Sequence, residues 1–364
     1  MLNSFGVLHK PIMYFLSLLF YIIAILVSIY GTINAKKPII KQYNIDMSEQ
    51  QTKIEDLIST TTSVLIMQAD NPDADSLASS LALEQILEEA GKQTYMYCSV
   101  DMPSYLRYLV GWDRVSSEIP NTFDLAIIVD ASTTSLFGIL DVSSVRKKFH
   151  DKPCIVLDHH SAVENEIDFA DILVCDDQKS STGELIYSLF SNSRFKVNLE
   201  AQEYVMTAIL GDTQGLTNQL ATADTYQVMS DIIRAGVDRP ALEELRRSYS
   251  KMSVDILKYK AVLIERAKFA SGGRLAYLTI PQAEIIKYSP QYNPGPLVQP
   301  DLLNTVGVDI AIVFKTYDDG RVTATIRSNS AAPIAADLAT YFGGGGHVYA
   351  SGFKQNAVQN KEGL

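Results

Sequence analysis

The sequence predicts an α/β protein in which a parallel-sheet domain is followed by a smaller α+β domain, with a cleft between them. Short apolar, β-rich runs alternate with helical patterns through the first half, the signature of a parallel sheet covered by helices. Three of these runs end in aspartate, at the carboxyl ends of strands where open parallel sheets bind ligands. The composition then changes near residue 268, where strands resume around a tight turn and a run of glycines.

After an amphipathic lead-in around EDLIST, the runs are SVLIM (63–67), QTYMYCS (93–99), LAIIVD (125–130), CIVLD (154–158) and ILVCD (172–176). Between the first two, SLASSLALEQILEEAGK places Leu77, Leu81, Leu83, Ile86 and Leu87 at helical spacing and stops at Gly91. Helical patterns dominate from Gly183 to about Gly236, in TGELIYSLF, AQEYVMTAIL and TYQVMSDIIRAG. A polar helical connector leads to the strands RLAYLTI, DIAIVFKTY and RVTATIRS, the last two joined by a DDG turn that signals a hairpin. AAPIAADLATYF reads as a short helix ending at Gly343–Gly346. The expected organisation is an N-terminal segment 1–46, a catalytic domain 47–238, a connector 239–267 and a substrate-binding domain 268–356.

The chain has 364 residues, 47% hydrophobic and 20% charged, an ordinary globular balance with room for two cores. Its net charge of -11 argues against a broad basic face for long duplex nucleic acid. A small anionic substrate stays compatible if metals neutralise the site. Cys98, Cys154 and Cys175 lack CxxC spacing and indicate neither a disulfide framework nor a zinc knuckle. No sequence pattern fixes the oligomeric state, a homodimer included.

From Pro11 to Ala35 there is no charged side chain. About 20 apolar residues suffice to cross a bilayer, so residues 12–31 are a candidate transmembrane helix. Lys36, Lys37 and Lys41 follow it, which favours a cytoplasm-facing body. Two alternatives stay open: a cleaved signal peptide, disfavoured by the length of the run, and translation from Met47, which would give a cytoplasmic protein without an anchor.

Asp73 and Asp75 follow the first apolar run in NPDAD, Asp130 ends AIIVD, Asp158 precedes His159 and His160 in LDHH, and Asp212 ends a helical run in ILGDT. One such aspartate would be a turn or cap residue. Five on one rim would be untenable without positive charge. Two divalent ions would offset most of it, and oxygen-rich ligation with one or two imidazoles suits Mn2+, with Mg2+, Co2+ and Fe2+ as alternatives. Two metals about 3.5 to 4 Å apart are a known arrangement for hydrolysing phosphate esters.

NPDAD, AIIVD, LDHH, GDT and the late GGGGHVYASGF together resemble the DHH phosphoesterase family with its DHHA1 C-terminal domain, over nearly everything after residue 50. The resemblance implies hydrolysis of short oligonucleotides or small nucleotides, as by oligoribonuclease/PAP phosphatases, or of cyclic-di-AMP or pApA. It implies that Asp73 binds one metal, that Asp75, His159 and Asp212 bind the other, and that Asp130 bridges them. Asp158 would orient His159 from behind, and His160 would meet the substrate phosphate or the leaving group. One position departs from the family pattern: Ala69 stands where a histidine is usual. Asp70 or Gln68 could supply an oxygen instead, or Asp70 could simply open the turn before Asn-Pro. An alternative function follows, a nucleotide-binding sensor with impaired turnover.

Gly343, Gly344, Gly345 and Gly346 could form a helix stop or a phosphate nest to which His347 adds a donor. Arg327 in ATIRSNS is a candidate second phosphate contact or an ordinary strand arginine. Ser180, Ser181 and Thr182 before Glu184 read as a helix N-cap near capping-box spacing, although by resemblance the segment lines the cleft.

Overall fold

The computed structural model describes residues 47–149, 151–160, 167–249, 251–289 and 292–355. The chain divides between Lys251 and Met252 into two compact units.

The first unit opens with helix α1 (Met47–Thr60) and continues β1 (Ser63–Met67), α2 (Ala74–Glu89), β2 (Gln93–Tyr97), β3 (Val115–Ser116), β4 (Leu125–Val129), α3 (Ser143–Phe149), β5 (Cys154–Asp158) and β6 (Ile172–Cys175). Four helices close it: α4 (Thr182–Phe190), α5 (Leu199–Asp212), α6 (Ala223–Ala235) and α7 (Arg239–Tyr249). The six strands pair in parallel in the order β3-β2-β1-β4-β5-β6. Both faces of the sheet are covered, which is why its central strands read as unbroken apolar runs rather than as alternation. Val64, Ile66, Ile127, Val129, Ile155 and Leu157 face one core. Leu65, Met67, Ala126, Ile128, Cys154 and Val156 face the other.

Helix α2 is buried on nearly every side, between the sheet and helices α4 and α5, so its apolar residues do not form a single stripe. Leu77 and Leu81 are wholly enclosed. Truncating either to alanine is worth about 2–5 kcal/mol. In this strand order β1 lies between β2 and β4, and the chain leaves it toward opposite sides of the sheet. The crevice at such a switch point is where doubly wound sheets bind ligands. The cysteines form no disulfide among the described residues.

The second unit consists of α8 (Val254–Arg266), β7 (Lys268–Ala270), β8 (Leu275–Pro281), α9 (Gln282–Tyr288), α10 (Pro294–Leu303), β9 (Ile310–Thr316), β10 (Val322–Ser328), α11 (Ala335–Tyr341), β11 (Gly345–His347) and β12 (Ala350–Gln355). Its sheet runs β11-β12-β10-β9-β8-β7 and is mixed, with β8 parallel to β9. The DDG turn closes the β9–β10 hairpin, and Gly320 takes the left-handed conformation there, φ 80°. Helices Arg239–Tyr249 and Val254–Arg266 fall on either side of the division between the units. Among the described residues no helix is long and apolar enough to cross a membrane, and the candidate span 12–31 lies outside them.

Candidate metal centre

The carboxyl ends of β1, β4 and β5 and the C-terminus of α5 bring Asp75, Asp130, His159 and Asp212 together. His159 is the hub: its Nε2 lies 2.9 Å from Asp212 Oδ2, 3.6 Å from Asp75 Oδ2 and 3.7 Å from Asp130 Oδ1. Two donor sets of metal-binding geometry result, Asp75-His159-Asp212 and Asp130-His159-His160. The Nδ1 of His159 faces the carbonyl of Lys179 at 3.3 Å. A carbonyl only accepts, so Nδ1 carries a proton; Nε2, among carboxylates, carries a second one toward Asp212, which a metal ion would displace to use that nitrogen's lone pair.

Asp75 is fully buried. Its Oδ1 accepts from Ser79 Oγ at 2.9 Å and from the Gly183 amide at 3.1 Å, and its Oδ2 accepts from the Thr182 amide at 2.7 Å. The N-terminus of α4 therefore stabilises the charge on Asp75. Gly183 is required here, since a Cβ would fall 2.4 Å from that of Ala208. Thr182 Oγ1 also donates to Asp130 Oδ1 at 3.2 Å. Asp130 holds the left-handed backbone conformation, φ 58°. Such strain in a residue with a Cβ persists only where its surroundings enforce it, and it concentrates at functional sites.

The charges are mutually opposed. Burial, then Asp75, Asp73 and Asp212, raise Asp130 well above the usual carboxylate range. Burial and Asp75 raise Asp212 despite its bond to His159. Asp73 presents exposed surface, yet the protein packed about its carboxyl, with Asp212 and Asp75, raises it to about 6. Burial disfavours charge on His159, but Asp212 and Asp75 outweigh it and lift the imidazole to about 10. A cluster that can relieve its repulsion only by retaining protons is one that a divalent cation would stabilise.

Asp158 departs from expectation. Its Oδ1 accepts from the amide of His160 at 3.0 Å and from His160 Nδ1 at 2.6 Å, so the residue it orients is His160, not His159. The cause is local: the chain bends just past β5, and the Asp158 carboxylate reaches the amide two residues on, as aspartates do in turns, which brings the His160 ring alongside it. Burial opposes ionisation of Asp158, but the bonds to His160 outweigh it and hold the carboxyl at about 2.

Asp73 lies close enough to feel Asp75 and Asp212 but joins neither donor set. It is the N-cap of α2, its Oδ1 accepting from the Ser76 amide at 3.0 Å. Asp70 also stays outside them: Oδ1 accepts from Ser99 Oγ at 2.6 Å and Oδ2 from the Gly138 amide at 2.7 Å, which pins two loops. Ala69 is buried. Gln68 is fully buried, and neither side-chain polar atom has a hydrogen-bond partner among the described residues. Ser181 caps α4, and Glu184 reaches one residue further than a capping box requires, to the amide of Ser180 at 3.1 Å and its Oγ at 2.6 Å. The carbonyl of Lys179 and the amides of Thr182 and Gly183 were not singled out as positioning groups. The signal available for them was the glycine and small polar residues at a helix start.

In the second unit, Gly343 ends α11 in the left-handed conformation, φ 73°, and the Gly344 amide bonds the Ala339 carbonyl at 2.8 Å. Gly345 to His347 form the edge strand β11. A Cβ on Gly344 would lie 2.1 Å from the Gly352 carbonyl, whereas one on Gly345 would meet open space. Arg327 and His347 share a sheet row, both registered with Ala350. The half-buried Arg327 guanidinium bonds the Ile326 carbonyl, meets no carboxylate among the described residues, and is lowered by burial.

The profile of the DHH family, N-terminal domain, matches residues 63–211. The bifunctional oligoribonuclease and PAP phosphatase NrnA of Bacillus subtilis is 23% identical over 305 residues, 83% of this chain and 92% of that protein. The cyclic-di-AMP phosphodiesterase GdpP of the same organism is 22% identical over 327 residues, 85% of this chain and 48% of that protein. An exopolyphosphatase-related protein from Bacteroides fragilis has the same fold, with a TM-score of 0.73 at 20% identity over 84% of this chain and 91% of that one. Residues 63–211 thus match the DHH family model, and the relatives that share this stretch are hydrolases named as phosphodiesterases and phosphatases.

Proposed function

We propose that the chain is a phosphoesterase that cleaves phosphodiester or phosphomonoester bonds of short oligonucleotides or small nucleotides, using two divalent ions, with Mn2+ favoured over Mg2+ or Co2+. The observation that carries this reading is the convergence of Asp75, Asp130 and Asp212 on the Nε2 of His159. Three carboxylates around one imidazole suit a hard divalent cation. Asp75, His159 and Asp212 would hold one ion, Asp73 would contribute to the other, and Asp130 would reach both. When bound, such ions supply Lewis acidity and activate water for attack at phosphorus.

The protein's own groups do the rest. Lys179 fixes the tautomer of His159, Thr182 and Gly183 hold Asp75, and Thr182 steadies Asp130. Asp158 takes the Nδ1 proton of His160 in its hydrogen bond, which directs the other ring nitrogen of that half-exposed imidazole to substrate. Burial works against charge on His160, but Asp158 outweighs it and raises its pKa. A protonated His160 would meet a phosphate oxygen or protonate the leaving oxygen. Arg327 and the loop Gly343–His347 are assigned to a substrate phosphate in the DHHA1-like unit.

A second reading rests on Ala69. With the oxygens of Asp70 bonded elsewhere and Asp73 engaged as a helix cap, the second ion has few donors, which would suit a nucleotide sensor of low turnover. The similarity to NrnA and to GdpP supports oligoribonucleotides or pAp on one hand and cyclic-di-AMP or pApA on the other. The deciding experiment assays the purified chain in Mn2+ on pApA, pAp, short RNA, cyclic-di-AMP and polyphosphate. Turnover of a nucleotide substrate, abolished by Asp130→Ala, is the expected result. Tight nucleotide binding without turnover would favour the sensor, and neither binding nor turnover would end both readings. Residues 12–31 are assigned as an anchor with the body on the cytoplasmic face, and recovery of the full chain in the soluble fraction would refute that.

A further inference from the structure

Within the first unit a pocket of about 610 Å3 borders the carboxylate cluster. Its size is in the range of about 300–1,000 Å3 usual for small-molecule sites. Ala74, between Asp73 and Asp75, and Gly211, next to Asp212, line it. The rest of the lining includes Arg239, Arg246 and Arg247 of α7 together with Tyr105. Three arginines in one pocket stand out in a chain of net charge -11. Only Glu243 opposes them there, accepting from Arg246 Nε and Nη2 and from Arg247 Nε, each at 2.8 Å.

Arg239 differs from its neighbours. Its Nε is buried without a hydrogen-bond partner, and the residue forms no ion pair, among the described residues. A buried charged group without a partner is costly, and an anion in the pocket that Arg239 lines would give its guanidinium the counter-charge it lacks. Guanidinium groups match phosphate oxygens bidentately. Tyr105, 42% exposed, brings an aromatic ring to the same lining. Aromatic rings stack on nucleobases with little regard to sequence.

We propose that this pocket holds a nucleotide flanking the bond to be cut, with a phosphate on Arg239 and Arg247 and the base against Tyr105. The assignment rests on the phosphoesterase reading above and adds the residues that select a nucleotide over a generic phosphate ester. A pocket of this volume takes about one nucleotide, which favours short substrates.

The test uses the full chain carrying Asp130→Asn, which suppresses turnover and keeps a residue that tolerates the left-handed backbone. Binding of a fluorescently labelled 5'-phosphorylated adenylyl dinucleotide in Mn2+ is followed by anisotropy. Adding Arg239→Gln is expected to weaken binding roughly tenfold and to reduce its salt dependence. Adding Tyr105→Leu is expected to weaken it roughly tenfold while leaving competition by inorganic phosphate unchanged. An unchanged melting temperature verifies the fold. Should Arg239→Gln melt early, Arg247→Gln, whose side chain is 75% exposed, carries the same expectation. Unchanged affinity in these variants, or no dinucleotide binding by the folded Asp130→Asn chain, overturns the pocket. Failure of the phosphoesterase reading shows separately, as no hydrolysis of any substrate by the wild-type chain.

Discussion

Asp158 Oδ1 bonds His160 Nδ1 at 2.6 Å, while the adjacent His159 turns to the carbonyl of Lys179. The two histidines of LDHH thus have separate supports. Asp158→Asn is expected to lower kcat by roughly 100-fold, the scale of losing a positioned acid, and to leave Mn2+ affinity nearly unchanged. Kinetics and calorimetric Mn2+ titration on the same preparation check it. A large loss of Mn2+ affinity with little kinetic effect would show that Asp158 serves the metal instead.

The candidate metal donors are distributed unequally. Asp75, Asp130 and Asp212 converge on the Nε2 of His159, whereas the end of β1 offers Asp73 and a buried Ala69. Mn2+ binding is therefore expected in two phases, the second roughly tenfold weaker or more, by the scale of losing a metal-supporting group. Titration by electron paramagnetic resonance resolves the two. Ala69→His is expected to tighten the second phase, and two equal sites in the wild type would refute the asymmetry.

Much of the fold was legible from the sequence. Buried parallel strands leave continuous apolar runs, and the aspartates that end them mark the ligand-binding rim. What was not legible depends on contacts distant in sequence. Ser99 and Gly138 occupy the oxygens of Asp70, and nothing in NPDAD announces either partner. Helix α7 reads as part of a polar connector because charged residues dominate its composition, yet its arginines line a pocket. The partner of Asp158 follows from a local turn in which an aspartate accepts from the amide two residues on. The glycine run combines two roles: Gly343 and Gly344 stop a helix, and Gly345 and Gly346 enter an edge strand.

Those glycines are separable by experiment. Gly344→Ala would place a Cβ 2.1 Å from the Gly352 carbonyl and is expected to destabilise the second unit by about 1–3 kcal/mol. Gly345→Ala meets open space and is expected to change stability by less than about 1 kcal/mol. Denaturant melts give the stabilities. If Gly345→Ala raises KM for nucleotides with the fold intact, that glycine contacts substrate; unchanged kinetics would assign the run to backbone packing alone.

Acid sensitivity in the second unit should centre on Glu284. Arg266 donates to its Oε2 at 2.9 Å and its Oε1 at 2.8 Å, and the Tyr259 hydroxyl donates to Oε2 at 2.8 Å. The Arg266 guanidinium holds the carboxyl below its usual value despite partial burial, with help from Tyr259. A depressed carboxylate pKa contributes stability that is fully present above the unfolded value of about 4.3 and is lost as pH falls through the lower folded value. Glu284→Gln is therefore expected to cost about 1–3 kcal/mol at neutral pH. The difference in melting temperature between variant and wild type should narrow below about pH 4, where protonation has already weakened the same bonds in the wild type. A difference that stays constant from pH 7 to pH 3 would show that the cluster acts through packing of the side chains and not through charge.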